Sequence, residues 1–92
     1  MGWARYGEEA GDPTIDLHGL RVADALRRVD AFLRQHRSAG AVCVRVVTGN
    51  GTGAVKEAVR ELLSRHPAVA TWSPTLRRDA ATIVTLKPPG KG

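Results

Sequence analysis

The stretch TIDLHGL, residues 14–20, alternates polar and apolar side chains and then meets a glycine. Because successive side chains of a strand point to opposite faces, this alternation predicts a strand over residues 14–18 with one buried face. Gly19 ends the predicted strand. The apolar side chains Ile15 and Leu17 face one side, and Thr14, Asp16 and His18 face the other.

A helix is predicted after this strand, over Val22 to about His36. Its apolar side chains recur at the spacing that makes one stripe along a helix, and charged side chains fill the opposite face. Acid and base four residues apart predict two ion pairs on the helix surface, Asp24 with Arg28 and Asp30 with Arg34.

Four further strands and helices are predicted, with the connections between them. Ala41 to Val47 is rich in β-branched residues and predicts a central strand, with Arg45 as an interruption. TGNGTG, residues 48–53, is a glycine-rich turn into a second amphipathic helix that ends near Pro67. Strands are then expected at Val69 to Trp72 and at Ala81 to Lys87, with a polar connection over residues 73–79.

The predicted order of elements is βαβαββ, which indicates an α/β fold of two layers. The first two strands and their helix form a right-handed βαβ unit, so both helices cover one face of a mixed four-stranded sheet. The other face of the sheet stays open. Residues 1–12 are expected to be a flexible arm, residues 13–88 the domain, and residues 89–92 a disordered tail.

The composition of the chain favours a small basic domain with polyanionic partners. Ninety-two residues support one hydrophobic core, and 14 Lys and Arg against 9 Asp and Glu give a net charge of +5. This charge favours nucleic acid or a ribosome surface. The single cysteine, Cys43, lies in an apolar run and is expected to be a small buried hydrophobe. We find no signal-peptide or bilayer-length apolar segment, so a soluble protein of the reducing cytoplasm is expected, without a membrane partner.

Asp16 and His18 carry the first chemical hypothesis. At strand spacing they stand roughly 6.6 Å apart, too far for direct contact, although both side chains can converge on one phosphate or one water. An imidazole beside a carboxylate suits proton transfer in phosphodiester chemistry. The alternative is a polar strand end whose acid and imidazole only bond to neighbouring turns.

The glycines at 49, 51 and 53 carry the second hypothesis. They follow a strand and open a helix, where backbone amides and the helix dipole favour an anion such as phosphate. Lys56 lies in the first turn of that helix, where a bound phosphate would offset its charge. The spacing does not match G-x-G-x-x-G or a P-loop, which argues against a nucleotide cofactor. The alternative is that these glycines only turn the chain.

Both motifs end parallel strands at the same edge of the sheet, where ligands of open α/β sheets bind. Arg45, Arg77 and Arg78 extend this basic edge, although a solvated basic loop is the commoner meaning of an arginine pair. His36, His66 and Cys43 lack metal-ligand spacing, so no metal site is predicted from the residues. One aspartate is too few for a typical two-metal nuclease, and a divalent cation, Mg²⁺ or Mn²⁺, stays open as a cofactor.

In these two motifs the sequence resembles the Smr (small MutS-related) domain family. IDLHGL at 15–20 is similar to its leading motif and TGNGTG at 48–53 to its second motif, HGxG or TGxG. The resemblance implies a fold similar to the C-terminal domain of translation initiation factor three, in a domain found alone or at the C-terminus of MutS-like proteins. It also implies nicking or RNA-cleaving endonuclease activity, with DNA repair among the processes served.

Carried over by position, the resemblance puts Asp16, His18 and Gly19 on the first motif and Thr48, Gly49 and Gly51 on the second. Two departures are present: Thr48 stands where many members have histidine, and RRDAATIVTL lacks the glycine pair often seen before the last strand. The expected catalytic residues are Asp16 and His18. The expected nucleic-acid-binding residues are Gly19, Arg21, Arg45, Thr48, Gly49, Asn50, Gly51, Gly53, Lys56, Arg77 and Arg78.

Two functions are therefore expected from the sequence. The first is a nucleic-acid-binding domain that cleaves phosphodiesters. The alternative is a non-catalytic module that binds structured nucleic acid or the ribosome. The choice between DNA and RNA and the oligomeric state stay open.

Overall fold

The computed structural model describes residues 12–49, 53–75 and 80–89. Four strands and two helices follow one another along the chain in the predicted order, βαβαββ. The elements are β1 (Thr14–Asp16), α1 (Val22–Ser38), β2 (Cys43–Val47), α2 (Ala54–Arg65), β3 (Val69–Pro74) and β4 (Ala81–Leu86).

The strands form one mixed sheet in the order β1-β2-β4-β3. β1 lies parallel to β2, with Asp16 opposite Val47, and β4 runs antiparallel to both of its neighbours, β2 and β3. The predicted α/β class, the mixed four-stranded sheet and the two helices are confirmed. β2 is a central strand, as its β-branched sequence predicted.

Both helices and one face of the sheet share a single core. Val44, Val46 and Val84 point into it from the central strands and are fully buried, and Val29 and Leu63 meet them from the two helices. Residues that alternate with these valines lie on the open face and are only half-buried. This alternation explains how β2 accommodates Arg45, which belongs to the open face. Cys43 also lies on that face and is half-buried, so the expectation of a buried cysteine was wrong.

The first two strands are each two residues shorter than predicted: β1 ends at Asp16 and not at His18, and β2 begins at Cys43 and not at Ala41. The Leu17 amide still donates to the Val47 carbonyl (2.7 Å), but His18 and Gly19 already belong to a turn. At the other end of the chain, β3 extends two residues beyond the prediction, to Pro74. The expected arm and tail fall almost wholly outside the described residues and stay predictions.

The surface of α1 carries one predicted ion pair and one that differs. The Arg34 Nε donates to Asp30 Oδ1 (3.0 Å), as expected. Asp24, however, accepts from the Arg27 guanidinium three residues on, so its predicted pairing with Arg28 was wrong. Both spacings bring side chains together on a helix, and the shorter one is used here.

Asp30 also ties α1 to the turn between α2 and β3. Its Oδ1 accepts from His66 Nε2 (2.7 Å), while His66 Nδ1 accepts from the Ala68 amide (3.0 Å). The His66 side chain is 5% exposed. Both ring nitrogens of this buried histidine therefore have hydrogen-bond partners. The side chain links α1 to the turn that follows α2. None of the helices in the described ranges is long and apolar enough to cross a bilayer.

Candidate functional site

Asp16 and His18 are in direct contact. Asp16 Oδ1 accepts from the His18 backbone amide (3.0 Å) and lies 2.8 Å from His18 Nδ1. The expectation that the two side chains stand too far apart for a dyad was therefore wrong. Its premise was an extended strand through His18, whereas the chain turns after Asp16 and folds the imidazole back onto the carboxylate.

This contact fixes the chemistry of the imidazole. Hydrogen bonds from the His18 amide and from its side chain lower the pKa of Asp16, so the carboxylate is ionised at neutral pH. An ionised carboxylate only accepts hydrogen bonds, so Nδ1 must carry the proton. Nε2 of the neutral ring then holds the lone pair. The His18 side chain is 73% exposed, and Nε2 is accordingly available to an external proton donor.

Each residue of the DLHG motif has a distinct physical role. Leu17 between the polar pair is fully buried and anchors the turn in the core. The Leu20 amide donates to the Leu17 carbonyl (3.1 Å), which closes the turn, and Gly19 in the third position has a φ of 81°. That conformation favours glycine. The motif thus holds an acid and an imidazole above a buried leucine.

The second motif meets the first at the same edge of the sheet. Asp16 pairs with Val47, and Thr48 and Gly49 follow directly. Gly49 has a φ of 80°, and a Cβ built there would lie 3.3 Å from the His18 Cβ. Glycine at this position therefore allows the second loop to pass against the histidine. The predicted convergence of the two motifs is visible in this contact.

The first residues of the second motif bond to the start of β4. The amides of Thr48 and Gly49 both donate to the Ala80 carbonyl (2.9 and 3.0 Å), and the Thr48 hydroxyl donates to it at 3.4 Å. Thr48 is also 7% exposed. These two amides are thus engaged within the protein, and Thr48 acts as a tether between β2 and β4. Sequence reasoning missed Ala80, since a backbone acceptor leaves no signal in residue type.

The remaining predicted site residues lie around this edge in different positions. Arg21 is the exposed N-cap of α1, and Arg45 lies half-buried on the open face, opposite Thr14. Gly53 is the N-cap of α2 with a φ of 92°, and Lys56 lies half-buried in the first turn of that helix. Asn50, Gly51, Arg77 and Arg78 lie outside the described residues.

Within residues 12–49, 53–75 and 80–89, no group of three or more His, Cys, Asp and Glu side chains is placed to hold a metal ion. Asp16 is the carboxylate of the candidate site, and its Oδ1 accepts both hydrogen bonds from His18.

Comparison with known proteins places these motifs in a family. The family model for the Smr domain matches residues 15–87. Endonuclease MutS2 of Thermus thermophilus is 39% identical over 77 residues, which cover 80% of this chain and 10% of that protein. Endonuclease MutS2 of Thermomicrobium roseum is 44% identical over 61 residues, 66% of this chain and 8% of that protein. The chain thus spans about a tenth of the length of these curated relatives.

Solved structures agree with the family match. The crystal structure of the Smr domain of Thermus thermophilus MutS2 is similar with a TM-score of 0.80 and 37% identity, over 83% of this chain and 99% of that one. The solution structure of the SMR domain of NEDD4-binding protein 2 has a TM-score of 0.63 at 24% identity, over 90% and 94%, which shows a shared fold. The sequence motifs, the topology and these matches together show that the chain belongs to the Smr domain family.

Proposed function

We propose that this domain binds nucleic acid at the edge where the Leu17–Gly19 turn meets Gly49, and that it hydrolyses a phosphodiester there. The observation that carries the proposal is the 2.8 Å contact between Asp16 Oδ1 and His18 Nδ1, beside the second motif. A carboxylate that orients an exposed imidazole is the arrangement that general acid–base catalysis needs. The MutS2 relatives are named endonucleases, which supports the same class of reaction.

In the proposed reaction His18 acts as the proton-transfer group. Its Nε2 takes the proton from an attacking water as the new bond from oxygen to phosphorus forms. The bond from phosphorus to the leaving oxygen breaks, and that oxygen takes up a proton from solvent, while the His18 imidazolium later returns its proton to solvent. The products are a phosphomonoester and a free hydroxyl. Asp16 holds the ring orientation and stabilises the imidazolium that forms.

Binding of the phosphate backbone is assigned to groups around this pair. The Thr48 and Gly49 amides already donate to Ala80, so in our proposal they shape the loop rather than contact phosphate. Arg21, Arg45 and Lys56 supply positive charge from three elements around the edge. Asn50, Gly51, Arg77 and Arg78 stay candidates for the same role. A cytoplasmic location belongs to this proposal as well.

A second candidate is a non-catalytic module that binds structured nucleic acid or the ribosome. One observation favours it: Thr48 occupies the place of a frequent histidine, and its hydroxyl is buried against the Ala80 carbonyl. The first position of the second motif thus offers no titratable group. In this alternative the Asp16 and His18 pair contributes hydrogen bonds to a bound strand and transfers no proton.

The two candidates are separated by a cleavage assay with binding measured in parallel. The substrates are labelled supercoiled plasmid and structured RNA, each with and without divalent ions. We expect His18→Ala to slow cleavage by about 10²- to 10⁴-fold with binding largely kept, since general acid–base catalysis contributes on that scale. Cys43→Ala, half-buried on the open face, is the control. Binding without cleavage by the wild type would favour the module, and equal cleavage by His18→Ala would exclude the assigned role.

A further inference from the structure

The edge of the sheet where the two motifs meet, at His18 and Gly49, is called the motif edge here. A second basic site lies at the opposite end of the molecule. A pocket of about 400 Å³ opens beside the C-terminal end of α1, where β4 ends and β3 begins. It is lined by Arg34, Arg37, Ser38, His66, Pro67, Ala68 and Pro89. With a rise of 1.5 Å per residue, the axis of α1 separates Arg37 from Arg21 at the motif edge by about 24 Å. The pocket is therefore distinct from the Asp16 and His18 site.

Two arginines of this pocket each donate one hydrogen bond to the protein from the Nε atom. Arg34 Nε donates to Asp30 Oδ1 (3.0 Å), and Arg37 Nε donates to the Pro88 carbonyl (3.1 Å). A guanidinium has five N–H donors in a rigid fork, and within the described residues each of these two forks makes this one hydrogen bond. Both arginines thus line the pocket with one N–H group engaged on the protein, and their terminal N–H groups have no hydrogen-bond partner within the described residues.

Three backbone carbonyls near the end of α1 have amide partners and do not take hydrogen bonds from these two arginines. The carbonyls of Gln35, His36 and Arg37 accept hydrogen bonds from the amides of residues 39–41, at 2.9 to 3.1 Å. Both nitrogens of His66 are also engaged, which makes its ring a wall of the pocket. Pro67, Ala68 and Pro89 add an apolar surface. The pocket therefore combines two guanidinium groups with an apolar wall.

We propose that this pocket binds one nucleotide unit of the nucleic acid engaged at the motif edge. The guanidinium forks match the geometry of a phosphate, and the prolines offer an apolar contact to the sugar or base. A volume of about 400 Å³ falls within the range of small-molecule sites. The inference rests on the proposed nucleic-acid-binding function and adds a second anchor to it. At 3.4 Å per base pair, a duplex must span about 7 base pairs to reach both sites.

The test compares affinity for hairpins with stems of 4, 8 and 16 base pairs. We expect the wild type to gain about tenfold between 4 and 8 base pairs, the scale of one charge-assisted hydrogen bond. Arg34→Gln with Arg37→Gln should lose this gain. The matched control, Arg27→Gln with Arg28→Gln, removes the same charge from exposed positions of α1 and should keep it. Equal losses in both double variants would overturn the proposal, because the pocket would then contribute charge alone.

Folding and ligand chemistry are controlled separately. Arg34→Lys with Arg37→Lys keeps the charge and removes the forks, so an intermediate loss at an unchanged melting temperature supports phosphate recognition. If the wild type binds hairpins but its affinity does not rise with stem length, the pocket is rejected as a nucleotide site and the proposed function stands. If no hairpin binds, the proposed function fails, and amide shifts at Ala68 on adding inorganic phosphate then report on the pocket alone. Equal shifts with a hexaglutamate peptide would reassign it to carboxylates.

Discussion

At the scale of single residues, Asp16 and His18 depend on one detail of the backbone, the end of β1 at Asp16. The alternation of residues 14–18 predicted which side chains are exposed, and Leu17 is buried as expected. It did not predict the contact, because two residues on a strand and two residues in a turn have the same sequence spacing. The turn depends on the hydrogen bond from the Leu20 amide to Leu17, which no residue type specifies.

Asp16→Asn tests the orienting role of the carboxylate. Asparagine can donate to Nδ1 and so favour the opposite tautomer of the ring, which leaves Nε2 protonated. We expect the cleavage rate to fall by about 10²-fold or more with binding kept within a few fold. The ¹⁵N shifts of the ring nitrogens should report the changed tautomer. Asp24→Asn, which removes the same charge on α1, should leave both the rate and the ring shifts unchanged.

Gly49→Ala tests the contact between the two motifs. A residue with a Cβ is strained at a φ of 80° by about 1–2 kcal/mol, and here its Cβ also presses on His18. We expect a lower melting temperature and a cleavage rate reduced by about tenfold or more, since misplacement of a catalytic group is costly.

Gly40→Ala is the matched control for that variant. Gly40 has a φ of 90°, and a Cβ there meets nothing within 4 Å. It should lower the melting temperature by a similar amount and leave the cleavage rate unchanged. If both variants cleave equally well, the approach of Gly49 to His18 has no bearing on activity.

At the scale of elements, both helices were predicted from the sequence, whereas the contacts between them were not. The apolar stripes of α1 and α2 follow from a local period of 3.6 residues, and both helices are present. The bond between Asp30 and His66 joins residues 36 apart, so no local pattern announces it. For the same reason the order of β3 and β4 in the sheet and the tether from Thr48 to Ala80 were not predicted.

Asp30→Asn tests the pH dependence of that bond. The hydrogen bond from His66, with a smaller effect from Arg34, lowers the pKa of Asp30 in the folded protein. The ionised Asp30 carboxylate thus stabilises the folded protein fully at pH values above its unfolded pKa, about 3.9. This stabilisation is lost as the pH falls through the lower pKa of the folded protein. Asparagine keeps an acceptor for the buried Nε2 but does not titrate.

We therefore expect the free energy of unfolding of the wild type to fall more steeply below about pH 4 than that of Asp30→Asn. The difference should be modest, because the Asp30 side chain is 39% exposed and solvent screens its partners. Urea unfolding of both proteins between pH 2 and pH 7 measures it. Parallel curves would show that Asp30 contributes nothing to acid sensitivity. Asp16, whose pKa is also lowered, is common to both proteins and cancels.

At the scale of the whole molecule, the net charge of +5 predicts binding dominated by phosphate contacts. The logarithm of the affinity should fall linearly with the logarithm of the salt concentration. Arg21→Gln and Arg45→Gln should each reduce the magnitude of that slope by about 1 if they contact phosphate. Arg28→Gln, exposed in the middle of α1, should reduce it less. An affinity that does not depend on salt would contradict the electrostatic account.

The central claim, that nucleic acid binds where the two motifs meet, is tested most directly by an NMR shift map. The ligand is a non-cleavable hairpin with a stem of 4 base pairs, about 14 Å, which is too short to reach the distant pocket as well. The account predicts that the largest amide shifts fall on His18, Gly19 and Gly49, with Arg37 and Ala68 unchanged. Shifts that spare His18 and Gly49 and gather elsewhere on the domain would contradict it.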